Sequence, residues 1–338
     1  GTTCTKAVLF GNKGQVISMH HAGYPLYSPT PNVAEQDPDE ILVAVKEAIR
    51  VAIQKSKIDV NTLRLVSFSA AMHSVIAIDK NGKPLTNCIT WADTRATDWS
   101  EKIKNEMNGH EIYRRTGTPI HPMSPLCKIT WLQHEKPEIF QKTFKFISMK
   151  EYVFHDFFGR YLVDHSIASA TGMFNLKNND WDETALEVAG ISSDQLSELV
   201  PTTYFLDGLK EEIVEEIGIP SNIPFVIGAN DGVLSNLGVN AIDPGVVAVT
   251  IGTSGAIRTV TDHPITDPKG RIFCYVLTDK HWVVGGPVNN GGMTFRWVRD
   301  ELAASEVETA KRLGIDAYDV LTRIASNVRP GSDGLLFH

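Results

Sequence analysis

Asp231 is the residue with the most chemistry on offer. It follows a short apolar run in Val226-Ile227-Gly228-Ala229-Asn230-Asp231-Gly232-Val233-Leu234, where a strand pattern meets a bend of small residues. A carboxylate at a strand end can accept a hydroxyl proton as a phosphoryl group is transferred, a reaction that depends mostly on positioning and electrostatics. Asp is equally at home as a helix N-cap, and Asp-Gly is a common turn dipeptide. On local grounds the two readings stand level. Two turns, Gly1-Thr2-Thr3 and Gly252-Thr253-Ser254-Gly255, offer a second ingredient. Phosphate needs clustered N–H donors and hydroxyls on a backbone that can approach closely, which Gly permits. Either turn alone reads as a strand connection; together they could grip one triphosphate. Neither is a Walker A loop, and no Gly-x-Gly-x-x-Gly fingerprint is present.

A third constellation joins Ala71-Met72-His73-Ser74 to Trp91-Ala92-Asp93-Thr94-Arg95. Trp, Asp and Arg at alternate positions offer a stacking face, an acceptor and a fork of donors, which suits a polyol or sugar acid. The commoner outcome for such a triplet is a core Trp beside a surface ion pair, and a lone His is more often structural. A fourth stretch, residues 285–292, is Gly-rich and leads into Phe295-Arg296-Trp297-Val298. Such a turn can bind an anion at a helix start or simply connect strand to helix.

Composition narrows the field. The chain has 338 residues, enough for two domains, and 42% apolar residues, enough for large cores. Net charge is −8, from 32 Lys+Arg and 40 Asp+Glu, with no basic run. Nucleic acid and anionic membranes are therefore poor candidates as partners. No apolar stretch reaches membrane-spanning length and no signal peptide is visible. Cys4, Cys88, Cys127 and Cys274 are scattered without a Cys-x-x-Cys, which reads as free thiols in a reducing, cytoplasmic compartment.

The elements that must position these residues follow from periodicity and punctuation. Residues 5–24 read as a hairpin. Asp37 is an N-cap, with Pro38 in the first turn and Glu40 closing a capping box, for a helix ending near residue 58. Strands are expected at 63–70, 74–78, 144–147, 225–228 and 246–251, with a hairpin over 273–285. Helices are expected at 94–107, 128–132, 150–158, 294–304 and 317–326, and two or three within 180–218. Strands and helices alternate with hairpins mixed in, which predicts an α/β sheet carrying antiparallel strands. A hairpin, a Gly-Thr turn and a helix occur near residue 5 and again near residue 250. This predicts two similar domains facing a cleft, 1–240 and 241–338. Both ends look cut: the first residue already lies in a turn, and the apolar run 335–338 stops as it starts.

Taken in order, these motifs resemble those of the FGGY carbohydrate kinases, along essentially the whole chain. Gly1-Thr2-Thr3 with Thr5-Lys6-Ala7 is similar to the family's first phosphate motif, and Gly252-Thr253-Ser254-Gly255 to its second. Met72-His73 and Trp91-x-Asp93-x-Arg95 resemble its sugar-binding loops. Pro125-Leu126-Cys127-Lys128-Ile129-Thr130-Trp131-Leu132 resembles its Pro-x-x-Lys-x-x-Trp-Leu signature. Gly228-x-x-Asp231 resembles the turn carrying the base, and Gly331-x-x-Gly334-Leu335-Leu336-Phe337 the opening of its second-domain signature.

The resemblance implies an actin-like ATPase (ribonuclease H-like) fold, with the second domain truncated here. It implies ATP and Mg²⁺ as cofactors and a small sugar or sugar acid as substrate. Asp231 becomes the general base. Met72, His73, Trp91, Asp93, Arg95 and Met123 become the sugar site, with Arg95 or His73 meeting a substrate carboxylate. Thr2, Thr3, Lys6, Gly252, Thr253, Ser254, Gly292 and Arg296 face ATP. An acidic residue that organises Mg²⁺ is expected upstream of Gly1, and an adenine-binding loop beyond residue 338. Within the family, residues 118–125, Asn230-Asp231-Gly232 and Asn289-Asn290 look most like gluconate kinases. Xylulokinases are the nearest alternative, and a homodimer is the oligomer to test. An actin-like structural or regulatory ATPase is the alternative of another class, and a polyol pocket argues against it.

Overall fold

Residues 4–23 form the hairpin their alternation predicts. Strands Cys4–Phe10 and Val16–Gly23 pair antiparallel, with Cys4 opposite Gly23. This is a computed structural model, and it describes residues 2–252, 254–288 and 291–336. After the hairpin, Asp37 caps the helix Pro38–Ser56 by accepting from the amides of Asp39 and Glu40. Only half of the expected capping box forms: the Glu40 carboxylate accepts from the Tyr27 hydroxyl at 2.9 and 3.0 Å instead. Ile41, Leu42, Val45 and Ile49 bury one face of this helix in the first core, with Ile76, Ile78, Phe157 and Phe225. Each such side chain contributes about 1.5–3 kcal/mol by leaving water.

The element that organises the functional end is a three-stranded sheet. Phe225–Asn230 lies at its centre, parallel to Val66–Ala70 on one side and antiparallel to the short Phe205–Leu206 on the other. Asn230 stands opposite Ala70. The parallel register therefore delivers the 71–74 loop and Asp231 to the same sheet end, where ligands of parallel α/β sheets gather. Gly228 interrupts the register between Val226 and Ala229. Its φ is +67°, and a Cβ there would lie 1.9 Å from the Phe68 carbonyl oxygen, so the bulge needs Gly.

Several boundaries move. The strands expected at 63–70 and 74–78 shorten to Val66–Ala70 and Ile76–Ile78, and the helix expected at 94–107 to Thr97–Glu106. The helix expected at 128–132 lengthens to Pro125–Glu135. The region 294–304 is not one helix: Gly292–Trp297 is α-helical and Val298–Leu302 continues as a wider π-type turn. The hairpin over 273–285 forms with Phe273 opposite Gly285.

Two compact units emerge. The larger comprises Gly1–Ala248 and Arg258–Gly285; the smaller comprises Val249–Ile257 and Gly286–His338. The smaller carries the helices Gly292–Trp297, Ala304–Leu313 and Ala317–Ala325. Among the described residues no helix is long and apolar enough to cross a membrane.

Candidate active site

Asp231 opens the helix Asp231–Gly238, directly after the central strand. Capping falls to its neighbour: Asn230 Oδ1 accepts from the Val233 amide at 2.9 Å. The Asp231 carboxylate is thus not the helix cap. It keeps an exposed face but is crowded by protein on its other sides. That burial raises its pKa above the ordinary carboxylate value, while the positive charge of Arg258 pulls the other way.

The residues around it come from distant parts of the larger unit. Met72 Cε lies 2.8 Å from where a Cβ on Gly232 would sit, and Arg258 Nε lies 3.5 Å from the same point. Met72 and Met123 both border the core of Ala229, Val233, Phe273 and Tyr275. His73 is held at φ +69°, a conformation non-glycine residues seldom take. Its ring is buried, with Nδ1 2.8 Å from the Ala170 carbonyl oxygen and Nε2 3.2 Å from the Tyr275 hydroxyl. A carbonyl only accepts, so Nδ1 carries the proton and Nε2 accepts from Tyr275. Burial, helped by the nearby Lys128 charge, lowers the His73 pKa to about 3. The imidazole is therefore neutral and committed at both nitrogens.

Trp91, Asp93 and Arg95 are close together but do different things. Trp91 is exposed, and its Nε1 donates to Thr2 Oγ1 at 3.0 Å. That bond brings the first sugar-site candidate to the first phosphate-turn candidate, 89 residues apart. Asp93 is buried and accepts from the amides of Ala34 and Arg95. Arg95 donates from Nε to Asp93 and from Nη2 to Glu35, and its guanidinium lies 4.7 Å from the Trp131 ring centroid. The expected carboxylate readers, Arg95 and His73, are both already partnered within the protein.

Lys128 joins the two loops. It is 1% exposed and donates to the carbonyls of His73 and Thr90, at 2.6 and 2.7 Å. The spacing that flagged this lysine gave no hint of that job. Arg258, Tyr275, Lys150, Asp164 and Ser166 were also missed. The available signals were weak: Lys150 interrupts an apolar helix pattern, and Asp164-His165-Ser166 has the look of a cap.

In the smaller unit the structure gathers three of the phosphate candidates. The Gly252 amide donates to the Ser254 carbonyl at 2.8 Å, and the Gly292 amide to the Gly252 carbonyl at 2.6 Å. A Cβ on Gly291 would come within 2.5 Å of the Ser254 oxygen, so this close approach needs Gly. Arg296 is exposed and lies 3.5 Å from Asp300. Thr253, the Asn289-Asn290 pair, Gly1, Phe337 and His338 lie outside the described residues. In the larger unit Thr3 is exposed and its carbonyl accepts from the Tyr24 amide, while Lys6 points outward from its strand, opposite His21.

A cavity of about 1020 Å³ lies between Cys4–Phe10, Pro38–Ser56 and Val66–Ala70. Met72, Thr90 and Trp91 line part of it and Asp231 does not. Its lining mixes aliphatic side chains such as Ile41, Val45 and Ile49 with Thr5, Gln36, Ser67 and Ser69. Among the described residues no group of three or more His, Cys, Asp or Glu side chains could hold a metal ion.

The model of the FGGY family of carbohydrate kinases, N-terminal domain, matches residues 1–238. The Gluconokinase of Bacillus subtilis (strain 168) is 62% identical over all of this chain. Two solved structures from Lactobacillus acidophilus, described as a gluconate kinase and as a ligand-bound xylulose kinase, each align at a TM-score of 0.92. Each is 39% identical and covers 99% of this chain. The chain spans 66% of the length of each of these three proteins. The α/β, actin-like architecture expected from the motifs is the architecture of these neighbours.

Proposed function

The chain belongs to the FGGY family of carbohydrate kinases, and on that premise we propose that it transfers the γ-phosphoryl of ATP to a terminal hydroxyl of an open-chain sugar acid, D-gluconate at O6 foremost. The observation that carries the reading is the division of labour at residues 230 and 231. Asn230 caps the helix, and Asp231 is left as a crowded carboxylate of raised pKa. Such a group accepts the hydroxyl proton as the oxygen attacks phosphorus. Met72 and Met123, which pack against the core of Ala229 and Val233, are the residues proposed to shape an apolar wall for the carbon chain, with Trp91 as a stacking face. His73 supports the wall as a neutral ring and carries no charge to the substrate. Asp93 and Arg95 hold the Trp91 loop.

Thr2, Thr3 and Lys6, and separately Gly252, Thr253, Ser254, Gly292 and Arg296, are the groups proposed to meet the nucleotide. Mg²⁺ would arrive on the phosphates, with the acidic residue expected upstream of Gly1 to organise it. The thiols of Cys88 and Cys127 are pushed up to about 11 by burial, and Cys274 to about 12, which suits inert cysteines in a reducing cytoplasm.

Xylulose phosphorylation is the second reading, supported by the xylulose kinase that aligns as well as the gluconate kinase. The test is ADP release by the protein expressed from its own gene, with gluconate, xylulose and a panel of polyols. Stimulation by gluconate well above xylulose is expected. The reverse order establishes the second reading, and no stimulation by any sugar points to a structural ATPase. Asp231→Asn should abolish most turnover while sugar binding persists.

A further inference from the structure

Behind Asp231 lies a buried ion pair that no step of this chemistry uses. Lys150 Nζ and Asp164 Oδ2 are 2.5 Å apart, with side chains 2% and 0% exposed. Removing two charges from water is costly, and replacing such a pair by apolar groups is often neutral or stabilising. Stability is therefore a poor explanation for it. Its connections suggest another. Asp164 Oδ1 accepts from the amides of Ser166 and Ile167, at 3.0 and 3.1 Å, and from the Ser166 hydroxyl. With its proton committed to the carboxylate, Ser166 Oγ turns a lone pair to the Asn230 amide, 2.8 Å away. The Ser166 carbonyl accepts from Asn230 Nδ2 at 2.9 Å. Lys150 Nζ also donates to the Ile227 carbonyl at 3.1 Å. The last four residues of the central strand are thus held at both ends, and the next residue is Asp231.

We propose that Lys150, Asp164 and Ser166 form a positioning relay that sets the carboxylate of Asp231 through the backbone of Asn230. The charge pair fixes the rotor of the Ser166 hydroxyl. The hydroxyl fixes the Asn230 peptide, and that peptide fixes the start of the Asp231 helix. This inference rests on the reading of Asp231 as the base. These three are positioning residues, since none of them touches the reacting atoms.

The test uses Ser166→Ala and the paired change Lys150→Met/Asp164→Asn. The paired change removes both charges but keeps an acceptor for Ser166 and Ile167. Each is made alone and in an Asp231→Asn background, in the protein expressed from its own gene. A displacement of about 1 Å at a reacting group can cost on the order of 100-fold in rate. The expected result is a fall in kcat of about 10- to 100-fold, with KM for sugar and ATP within about threefold. In the Asp231→Asn background the further loss should vanish, because residues acting through one group are not additive. A merely structural role would instead lower the folded fraction and multiply through both backgrounds. If Ser166→Ala does not fold, the paired change carries the test, since it tolerates loss of the charges. An unchanged kcat in a folded variant, or an equal loss in both backgrounds, overturns the relay. Near wild-type turnover of Asp231→Asn itself overturns the base assignment, and the relay with it. An inactive Asp231→Asn beside fully active relay variants overturns the relay alone.

Discussion

The ammonium of Lys128 donates to the carbonyl oxygen of His73 across 2.6 Å, and the same nitrogen reaches the Thr90 carbonyl at 2.7 Å. One buried side chain thereby ties the turn that carries Met72 to the strand end that carries Trp91. Its cost is titratable. Burial lowers the Lys128 pKa to about 7, against the opposing pull of Asp93. Between about 7 and its ordinary value of 10.5, the unfolded chain holds the proton more tightly than the folded one. Stability contributed by this group therefore rises with pH across that interval and is lowest below it. A neutral amine still has two N–H donors, so both carbonyls stay satisfied. Lys128→Met strands both carbonyls and removes the titration; each stranded acceptor costs about 1–3 kcal/mol. The gap in urea midpoint between wild type and Lys128→Met should widen from pH 7 to pH 10. A gap that stays flat would mean that the folded protein keeps Lys128 charged.

Gly228 allows a sharper test of the backbone that leads to Asp231. A Cβ there would meet the Phe68 carbonyl at 1.9 Å, and φ is +67°. The obstacle is backbone in a paired strand, so it cannot swing aside. Gly228→Ala should cost about 1–3 kcal/mol or more and carry the displacement to Asp231. Gly238 ends the following helix with no atom within 4 Å of its added Cβ. Gly238→Ala should stay within about 0.5 kcal/mol of wild type. Thermal unfolding of the two variants side by side checks this; equal melting temperatures would show that the bulge does not need Gly.

Local signals singled out Asp231 and the 71–74 and 91–95 stretches as candidates; the partners that surround them lie far along the chain. The start of the helix Pro38–Ser56 was readable because Asp37 caps it from next door. The role of Glu40 was misread because its partner, Tyr27, lies outside the helix. Asp231 read as a possible cap, but the cap is its neighbour Asn230, and one-residue choices of this kind depend on the strand pairing that feeds the helix. Lysines read as surface residues unless their acceptors are known, so the burial of Lys128 had no local signature and that of Lys150 only a weak one. His73 entered the sugar site only through the family resemblance, and its ring is held by Ala170 and Tyr275, 97 and 202 residues away. Arg258 carried no motif at all. Its charge nevertheless acts on Asp231.

That last neighbour makes the acidity of Asp231 adjustable. Burial raises the pKa of the carboxylate, and the Arg258 charge restrains the rise by favouring the ionised form. If Asp231 is the base, only the ionised form is competent, so kcat/KM falls as pH drops through its pKa. Arg258→Met removes the restraint and should move the acid limb of kcat/KM for gluconate to higher pH. Above that limb the base is again fully ionised, so part of the lost activity should return as pH rises. A loss of activity alone does not distinguish this effect from a direct role of Arg258 on a phosphoryl oxygen; the position of the limb does. An acid limb that stays in place, or shifts to lower pH, would show that Arg258 does not act on the ionisation of Asp231.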